Sequence, residues 1–252
     1  MSLACDVRQN GYDVKAILLV GGLGTRLRPV ISSTPKPMAP VGNRPFLELL
    51  ITQLKRQGFR RLLMCTGYLG EQIKDAFGNG QKFGVGIEYS NEPYPMGTGG
   101  AIRFARAYLD SEDDFLVLNG DSFLEVDFCN LIRFHRQRGS MATLAVTRIE
   151  NAGRYGTVEA DSAGRVTRFV EKAGLSASAI VNGGVYVFRQ AILEHIPETF
   201  TSLEKEVLPS LLAQGIYAVE QRGVFIDIGT QEDYDRAQGI YDRLNGAAAR
   251  NL

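Results

Sequence analysis

The sequence is poor in the residues that several common kinds of functional site require. Its three cysteines, Cys5, Cys65 and Cys129, lie far apart, are odd in number and form no Cys-x-x-Cys zinc pattern. This usage is more typical of a reducing compartment than of a disulfide scaffold. The two histidines, His135 and His195, stand on predicted helices without a partner in sequence, which leaves neither a catalytic triad nor a histidine acid–base pair.

Net charge and long apolar runs are also missing. Over 252 residues the basic and the acidic side chains number 28 each, so there is no general attraction to nucleic acid or to a membrane surface. No apolar run approaches the length of a membrane span, and the amino terminus lacks the apolar region of a signal peptide. We therefore expect a cytoplasmic protein that binds neither nucleic acid nor membranes, and any basic site must be local.

One local basic site follows the first predicted strand. The apolar run Ala16–Val20 is typical of a buried parallel strand, and the glycines after it allow backbone N–H groups to approach a phosphate. Between Val20 and Glu48 the chain carries four cations and no acidic residue. A cationic loop at the carboxyl end of a strand predicts a polyphosphate site. The loop is Gly21, Gly22, Leu23, Gly24, Thr25 and Arg26, and the other cations are Arg28, Lys36 and Arg44.

Two better-known phosphate loops do not match this segment. The chain has no Gly-x-x-x-x-Gly-Lys-Ser/Thr pattern, which excludes a P-loop. A dinucleotide fingerprint needs a third glycine that opens directly into a helix, but the glycines end at Gly24, and Pro35 and Pro37 prevent a long helix. A tight strand-to-loop turn is the remaining alternative. The nearby arginines and Lys36 favour the phosphate loop.

The predicted elements indicate an α/β fold. The first half alternates strands and helices, which implies a mostly parallel sheet with helices on both faces. The second half is richer in strands and has a hairpin turn at Asp161–Gly164, so we interpret it as an antiparallel sector inserted for a second ligand. The predicted strands are Lys15–Val20, Arg61–Thr66, Gly86–Ser90, Phe115–Asn119, Met141–Arg148, Gly156–Ala160, Arg165–Glu171, Ile180–Phe188, Ile216–Val219 and Val224–Ile228. The predicted helices are Pro45–Gln57, Gly70–Phe77, Gly99–Leu109, Leu203–Ala213 and Gln231–Leu244.

Two aspartates at strand ends are the candidate metal ligands. Asp121 follows a buried strand and a glycine, so it should point into the crevice that holds the phosphate loop. A carboxylate beside a polyphosphate repels it unless a divalent cation intervenes, which predicts a Mg²⁺ ligand. Asp227 lies in an apolar strand and predicts the second ligand, since a buried charge is costly unless it is paired or metal-bound. The alternatives are a helix N-cap for Asp121 and a core salt bridge to an arginine for Asp227.

Three further polar residues lie at the ends of predicted strands. Lys172 could neutralise a second phosphate, while Glu171 and Asn182 bind sugar hydroxyls. The alternative is that Glu171 and Lys172 form an exposed charge pair, and spacing alone favours this alternative.

Taken in order, these segments resemble the sugar-1-phosphate nucleotidylyltransferases, also called nucleotide-sugar pyrophosphorylases. The matches span roughly residues 14–240. Three segments, Lys36–Pro40, Arg44–Leu47 and Phe225–Thr230, are most similar to D-glycero-α-D-manno-heptose 1-phosphate guanylyltransferases. The matching motifs are Gly21–Leu27, Pro35–Pro37, Glu92-Pro93, Gly97–Gly99, Gly120-Asp121, Glu171-Lys172, Asn182–Gly184 and Asp227–Thr230.

The resemblance implies a fold and a division of the chain. The expected fold is a Rossmann-like three-layer sandwich with a mostly parallel mixed sheet and an inserted antiparallel sugar-binding sector. It implies a single nucleotidyltransferase domain over residues 1–252, with a nucleotide-binding half at about 14–125 and a sugar-phosphate-binding half at about 126–240. Because the chain ends soon after the last motif, we expect no left-handed β-helix domain. A homodimer would be unsurprising.

The resemblance also implies a reaction, in which a sugar 1-phosphate oxygen attacks the α-phosphorus of a nucleoside triphosphate and releases pyrophosphate. Arg26 would hold the pyrophosphate, and Lys36 would hold the α-phosphate region. Lys172 would hold the sugar phosphate, while Asp121 and Asp227 would bind Mg²⁺. The nucleophile is already an anion near neutral pH, so catalysis needs positioning and charge neutralisation rather than a general base.

The base and the sugar follow less directly from the resemblance. In this family the segment with Glu92, Gly97 and Thr98 faces the base, and a carboxylate can accept from both N1–H and the 2-amino group of guanine, which predicts GTP. Phe225-Ile226 stands where many thymidylyl enzymes have a tryptophan nearby, which weakens the thymidylyl alternative. By resemblance, the sugar-phosphate pocket consists of Asp121, Tyr155, Gly156, Glu171, Lys172 and Asn182.

Other functions remain as alternatives. D-glycero-α-D-manno-heptose 1-phosphate is the expected sugar, with mannose 1-phosphate, or a uridylyl or thymidylyl transfer, as the alternatives. A non-catalytic regulatory subunit is an alternative of another class, although Arg26, Lys36, Asp121 and Asp227 are all present, which argues against it. A dehydrogenase lacks its fingerprint here, and a retaining glycosyltransferase would need Asp-x-Asp, whereas Asp121 is followed by Ser122-Phe123.

Overall fold

The computed structural model describes residues 13–24, 27, 33–170 and 178–249. Its strands are β1 Lys15–Leu19, β2 Pro40–Val41, β3 Arg44–Pro45, β4 Arg61–Thr66, β5 Gly86–Asn91, β6 Asp114–Asn119, β7 Ser122–Leu124, β8 Ala142–Ile149, β9 Thr157–Ala160, β10 Val166–Val170, β11 Ala179–Arg189, β12 Tyr217–Glu220 and β13 Phe225–Asp227. Its α-helices are α1 Phe46–Arg56, α2 Gly70–Phe77, α3 Gly97–Phe104, α4 Phe128–Arg138, α5 Leu208–Ser210, α6 Gln231–Gly239 and α7 Tyr241–Ala249.

A nine-stranded mixed sheet runs through both halves of the described chain. Strands β5, β4, β1 and β6 are neighbours in that order and all parallel. Strand β11 is antiparallel to β6 and to β8, and β12 is parallel to β8, so most of the sheet points one way. The β9–β10 hairpin adds the predicted antiparallel sector, and its turn has Gly164 at φ 81°, which glycine adopts without strain.

Helices cover both faces of the sheet. Successive residues of a strand point to opposite faces, and in the central strands both sets are apolar and need to be buried. In β1, Ala16 and Leu18 pack with α1, α2 and α4, whereas Ile17 packs on the other face with α3. The same alternation holds in β6, where Leu116 and its neighbour Val117 belong to different apolar clusters. The predicted three-layer α/β fold is therefore confirmed.

The predicted helix 203–213 is not one regular α-helix. Ser202 caps a single π-helical turn, Leu203–Val207, which runs into the three residues of α5 and then a 3₁₀ turn, Leu212–Gln214. Proline cannot donate a backbone hydrogen bond, so Pro209 is compatible only with a new helix start. The predicted helix 231–244 also divides, into α6 and α7.

Three further features of the described residues bear on the predictions. Asn182-Gly183-Gly184 lies inside β11, at a register shift against β8. Cys65 is a buried free thiol, but Cys129 is disulfide-bonded, so the expectation of reduced cysteines is not met at that position. Within the described residues, the helices are all too short or too polar to cross a membrane.

Candidate active site

A first cavity, of about 430 Å³, lies at the carboxyl ends of β1 and β6, where parallel α/β sheets bind their ligands. Its lining includes the predicted phosphate loop, the base-facing segment and the first predicted metal ligand, so the structure brings these three together. From the predicted set the lining residues are Gly21, Gly22, Leu23, Gly24, Lys36, Glu92, Gly97, Thr98 and Asp121.

Glycine is required where the phosphate loop meets the sheet. A Cβ atom on Gly120 would lie 2.6 Å from Val20 and 2.7 Å from the carbonyl oxygen of Leu19, so only glycine lets the ends of β1 and β6 approach this closely. Gly24 has φ 58° and packs against the Cβ of Lys36. Among the described residues, nothing accepts a hydrogen bond from the N–H groups of Gly21 to Gly24. Such unpaired N–H groups suit phosphate oxygens.

Lys36 is held in a three-residue 3₁₀ turn, Lys36–Met38, rather than in a long helix, as the flanking prolines predict. Its side chain is only 8 % exposed, and its Nζ lies 2.5 Å from Oδ2 of Asp121 and 3.7 Å from Oδ1 of Asp227. One buried ammonium group therefore stands between the two carboxylates that were predicted to bind metal.

The two aspartates converge because β7 and β13 pair. Asp227 is opposite Ser122 in this antiparallel pair, and the N–H of Ile228 donates to the carbonyl oxygen of Asp121 at 3.0 Å. Asp121 leads into β7 and not into a helix, so the N-cap alternative is wrong. Within the described residues, the charge beside Asp227 is a lysine, Lys36, and no arginine forms the salt bridge that the alternative required.

The pair of aspartates has the character of an incomplete cation site. The Oδ1 atom of Asp227 is buried and has no hydrogen-bond partner among the described residues. Burial, together with repulsion from Asp121, raises the pKa of the Asp227 carboxyl to about 6, against the opposing effect of Lys36. No group of three or more His, Cys, Asp or Glu side chains suited to a metal occurs in the described part of the chain. Two carboxylates with substrate phosphates and water as the other ligands suit Mg²⁺.

A second cavity of about 270 Å³ adjoins the first. It contains the predicted sugar-phosphate residues that the structure describes: Tyr155, Gly156, Asn182 and Asp121. The N–H of Asn182 donates to the carbonyl oxygen of Gly156 at 2.8 Å, which joins β11 to the start of β9. The residues common to both cavities are Thr98, Asn119, Asp121 and Gly229, so Asp121 lies at the junction.

Glu204 was missed by sequence reasoning. The π-helical turn brings it into the second cavity, where its two oxygens accept from the hydroxyl groups of Thr98 at 2.7 Å, Tyr186 at 3.3 Å and Ser202 at 3.4 Å. The amide of Asn182 in turn donates to the Tyr186 hydroxyl at 2.6 Å. Glu204 therefore holds one wall of the second cavity, and no local sequence signal marks it.

Arg154 was also missed. It lines the second cavity and donates to Thr230 at 3.0 Å and to the buried Asp233 at 2.8 Å. Its position before Tyr155 was the only hint in the sequence. Two more buried oxygens in this cavity, Asn119 Oδ1 and Ser122 Oγ, have no partner among the described residues, which marks it as a polar site built for a ligand with many hydroxyl or phosphate groups.

The base-facing segment is more constrained than the sequence suggests. Oε2 of Glu92 already accepts from the N–H of Met96 at 3.0 Å, and Oε1 lies over Gly21. Burial raises the pKa of the Glu92 carboxyl. Two N–H groups in the first turn of α3 are also engaged, since those of Gly99 and Gly100 donate to the carbonyl oxygen of Thr201. These two N–H groups are therefore not available to an anion.

Four predicted site residues, Thr25, Arg26, Glu171 and Lys172, lie outside the described residues, and their roles remain predictions.

Comparison with known proteins agrees with this arrangement. A family model described as nucleotidyl transferase matches residues 15–243. The catalytic subunit beta of mannose-1-phosphate guanylyltransferase from Danio rerio is 38 % identical over 233 residues, which cover 90 % of this chain and 64 % of that protein. The mannose-1-phosphate guanylyltransferase of Mycobacterium tuberculosis is 37 % identical over 241 residues, 94 % of this chain and 66 % of that protein. This chain thus spans just under two thirds of the length of these relatives.

A solved structure covers nearly the same length as this chain. The crystal structure of HddC from Yersinia pseudotuberculosis complexed with GMP-PN superposes with a TM-score of 0.81 at 32 % identity, over 90 % of this chain and 99 % of that one.

Proposed function

The chain belongs to the nucleotidyl transferase family, and we propose that it transfers a guanylyl group from GTP to a sugar 1-phosphate, with release of pyrophosphate. The observation that carries this proposal is the junction of the two cavities at Asp121, with Lys36 between Asp121 and Asp227. One cavity has the phosphate loop and the other has the sugar-phosphate residues, so two anionic substrates would meet at this ammonium group.

The reaction requires that two polyanions be held in line, and the chain's own groups can do this. The N–H groups of Gly21 to Gly24 would bind phosphate oxygens of GTP. Lys36 would neutralise the α-phosphate, which is the point of attack and carries extra charge in the transition state. Asp121 and Asp227 would hold Mg²⁺ on the phosphates, and the ion would supply charge neutralisation. The incoming phosphate oxygen is already ionised, so the absence of a histidine among the described lining residues is consistent with the chemistry.

Guanine as the base is supported by two independent observations. HddC, which resembles this chain over nearly its whole length, was crystallised with GMP-PN, a guanine nucleotide analogue. Glu92 is a half-buried carboxylate in the first cavity, and guanine presents two N–H groups on one edge that a carboxylate can accept. Since Oε2 is shared with Met96, we expect Oε1 to be the main acceptor.

A manno-configured sugar is supported by the relatives, whose names specify mannose 1-phosphate. The sequence motifs favour D-glycero-α-D-manno-heptose 1-phosphate. The two sugars share the ring configuration and differ beyond C5, so both are consistent with the polar groups of the second cavity.

The proposal is tested by pyrophosphate release with Mg²⁺ across the four ribonucleoside triphosphates and dTTP, each paired with manno-heptose, mannose and glucose 1-phosphates. Release with GTP and a manno-configured sugar phosphate is expected. Release with another pair would retain nucleotidyl transfer and discard the base or sugar assignment. Nucleotide binding without release from any pair would indicate the non-catalytic regulatory subunit.

Glu92→Gln separates base recognition from chemistry. The variant should lose the preference for GTP, because an amide cannot accept at both positions. An unchanged preference would remove Glu92 from base recognition. Glu88→Gln is the control, since Glu88 lies in β5, the strand that leads to Glu92, pairs with Lys15 of β1, and is not among the residues that line either cavity.

A further inference from the structure

Phe200 is an unusual residue on the rim of the first cavity. Its side chain is 65 % exposed, the largest value for a large hydrophobic side chain among the described residues. It nevertheless lines the cavity that also holds the phosphate loop and Glu92. Exposure of an aromatic ring to water costs free energy in proportion to the exposed apolar area. The position of Phe200 at the mouth of the cavity therefore indicates a ligand that covers the ring.

The backbone around Phe200 is firmly positioned. The N–H of Thr201 donates to the carbonyl oxygen of Met96 at 2.9 Å, and the carbonyl oxygen of Thr201 accepts from Gly99 and Gly100 at 2.9 and 3.2 Å. Gly97 has φ 75°, and a Cβ atom there would lie 2.5 Å from the Thr201 carbonyl oxygen, so this close contact requires glycine. Residue 200 is thus attached to the segment that faces the base.

A second exposed apolar side chain lines the same cavity from a different element. Leu23, in the phosphate loop, is 43 % exposed. Glu92, the carboxylate proposed to accept from the edge of the base, lines the same cavity as Leu23 and Phe200. The cavity therefore offers apolar surface for a flat face and a polar group for an edge, which are the two requirements of a purine.

We propose that Phe200 stacks on the nucleobase of the bound nucleoside triphosphate, with Leu23 contributing the apolar contact from the phosphate loop. This inference rests on the proposed function, because it names the residue that binds the base of the proposed substrate. Stacking contributes to nucleotide affinity without distinguishing the bases strongly, since each base has a flat face. Glu92 would then supply the preference for guanine, and Phe200 would supply affinity.

Phe200 could instead belong to a protein-docking surface. Tyr94 and Phe104 are also exposed, at 60 % and 45 %, and line a neighbouring surface depression. The cavity lining distinguishes the residues, because Phe200 lines the first cavity whereas Tyr94 and Phe104 do not. If Phe200 stacks on the base, its substitution should change GTP binding. If Phe200 belongs to a docking surface, its substitution should change the oligomeric state.

The sequence contains no tryptophan, so a Phe200→Trp variant carries a single indole at the proposed stacking position. Titration of this variant with GTP and Mg²⁺, without sugar phosphate, should quench the indole emission saturably, because stacked guanine quenches it. The matched control is Phe104→Trp, which places an indole on the exposed surface outside the cavity, and its emission should not change. Quenching in neither variant, although GTP binding is measured calorimetrically, would overturn the proposal.

Kinetics provide the second readout. Phe200→Ala should raise the KM for GTP on the order of tenfold, the loss expected for one stacked base. The kcat and the KM for the sugar 1-phosphate should change little, and Phe200→Tyr should restore the KM for GTP. An unchanged KM for GTP in Phe200→Ala, or a lower oligomeric mass of that variant in light scattering, would favour the docking surface and overturn the proposal.

The two levels of hypothesis fail separately. Suppose that GTP binds the wild-type protein and quenches the indole emission of the Phe200→Trp variant, but that the wild-type protein releases no pyrophosphate with any sugar phosphate. The proposed function then fails and the stacking inference stands. If pyrophosphate is released and the indole does not respond, the function stands and the stacking inference fails. Absence of any nucleotide binding would contradict both.

Discussion

The Nζ of Lys36 lies 2.5 Å from Oδ2 of Asp121, at the junction of the two cavities. The ammonium group is nearly buried, so its charge is poorly screened by solvent. An ammonium group has three donors on a flexible stem. In the proposed reaction it would therefore exchange the carboxylate for a phosphate oxygen, and the carboxylate would be free to hold Mg²⁺.

Replacing Lys36 should affect chemistry much more than folding. Lys36→Met keeps the apolar stem and removes the charge, and we expect kcat to fall on the order of 10²–10³-fold, as for a lost transition-state donor. Lys74→Met, on the exposed surface of α2, is the control and should retain full activity. Pyrophosphate release at saturating substrates measures both. A loss below threefold would show that the charge of Lys36 has little role in the transition state.

The proposed Mg²⁺ site predicts an effect of metal on stability as well as on rate. Mg²⁺ with nucleotide should raise the melting temperature of the wild-type protein, since a ligand that binds only the folded state stabilises it. Asp227→Asn should remove most of this increase and raise the Mg²⁺ concentration for half-maximal activity. Asp75→Asn, on the exposed surface of α2, is the matched control. Equal metal-dependent increases in all three proteins would exclude Asp227 as a ligand.

Glu204 should affect the sugar side of the reaction. Glu204→Gln replaces one acceptor oxygen by a donor, so one of the hydroxyl groups that now donate to it loses its partner. We expect the KM for the sugar 1-phosphate to rise on the order of tenfold, which corresponds to one lost hydrogen bond to a charged group. The control is Glu206→Gln in the same turn, whose carboxylate accepts from the backbone of Ser202 and is not among the residues that line either cavity. Equal effects of the two substitutions would contradict a specific role for Glu204.

Asp114 should contribute to stability and not to activity. It begins β6, at the opposite end of that strand from Asp121. Its Oδ2 accepts from Arg136 at 2.7 Å, and its Oδ1 lies 3.4 Å from Nε2 of the buried His135. Burial alone would raise the pKa of the Asp114 carboxyl, but His135 and Arg136 lower it below its ordinary value of 3.8.

Because the pKa of Asp114 is lowered by folding, its contribution to stability is present above pH 3.8 and is lost as the pH falls through the folded-state pKa. Asp114→Asn should lower the free energy of unfolding by about 1–3 kcal/mol at pH 7. Each kcal/mol lost should lower the melting temperature by about 2–4 °C. The difference between the two proteins should decrease below pH 4. A pH-independent difference, or a large loss of activity at 25 °C, would contradict this assignment.

The sequence carried enough information for the parts of the site that depend on local patterns. The apolar run ending at Gly21 and the one ending at Asp121 are adjacent parallel strands in the structure, with Leu19 opposite Asn119. Lys36 was recognisable as a cation in a segment without acidic residues and as part of the motif Pro35-Lys36-Pro37, which the resemblance includes. These features were predictable because a buried strand that ends in glycine and a charged residue is typical of a ligand site at a sheet edge.

Other parts could not have been predicted, because they depend on contacts between distant segments. Glu204 meets Thr98 across 106 positions of sequence, and its segment was predicted only as part of the helix Leu203–Ala213. Phe200 lies on the cavity rim only because Thr201 hydrogen-bonds to the start of α3. In both cases the position follows from tertiary packing, which no local pattern records.

In the proposed reaction, the oxygen of a sugar 1-phosphate attacks the α-phosphorus of GTP at the junction beside Lys36. The most direct test uses GTP radiolabelled at the α-phosphorus and, in a parallel reaction, at the γ-phosphorus, with Mg²⁺ and D-glycero-α-D-manno-heptose 1-phosphate or mannose 1-phosphate. We expect the α label to appear in a GDP-sugar and the γ label in pyrophosphate, and Lys36→Met to slow the formation of both on the order of 10²–10³-fold. Release of the γ label as inorganic phosphate, with the α label left in GDP, would contradict the proposed reaction.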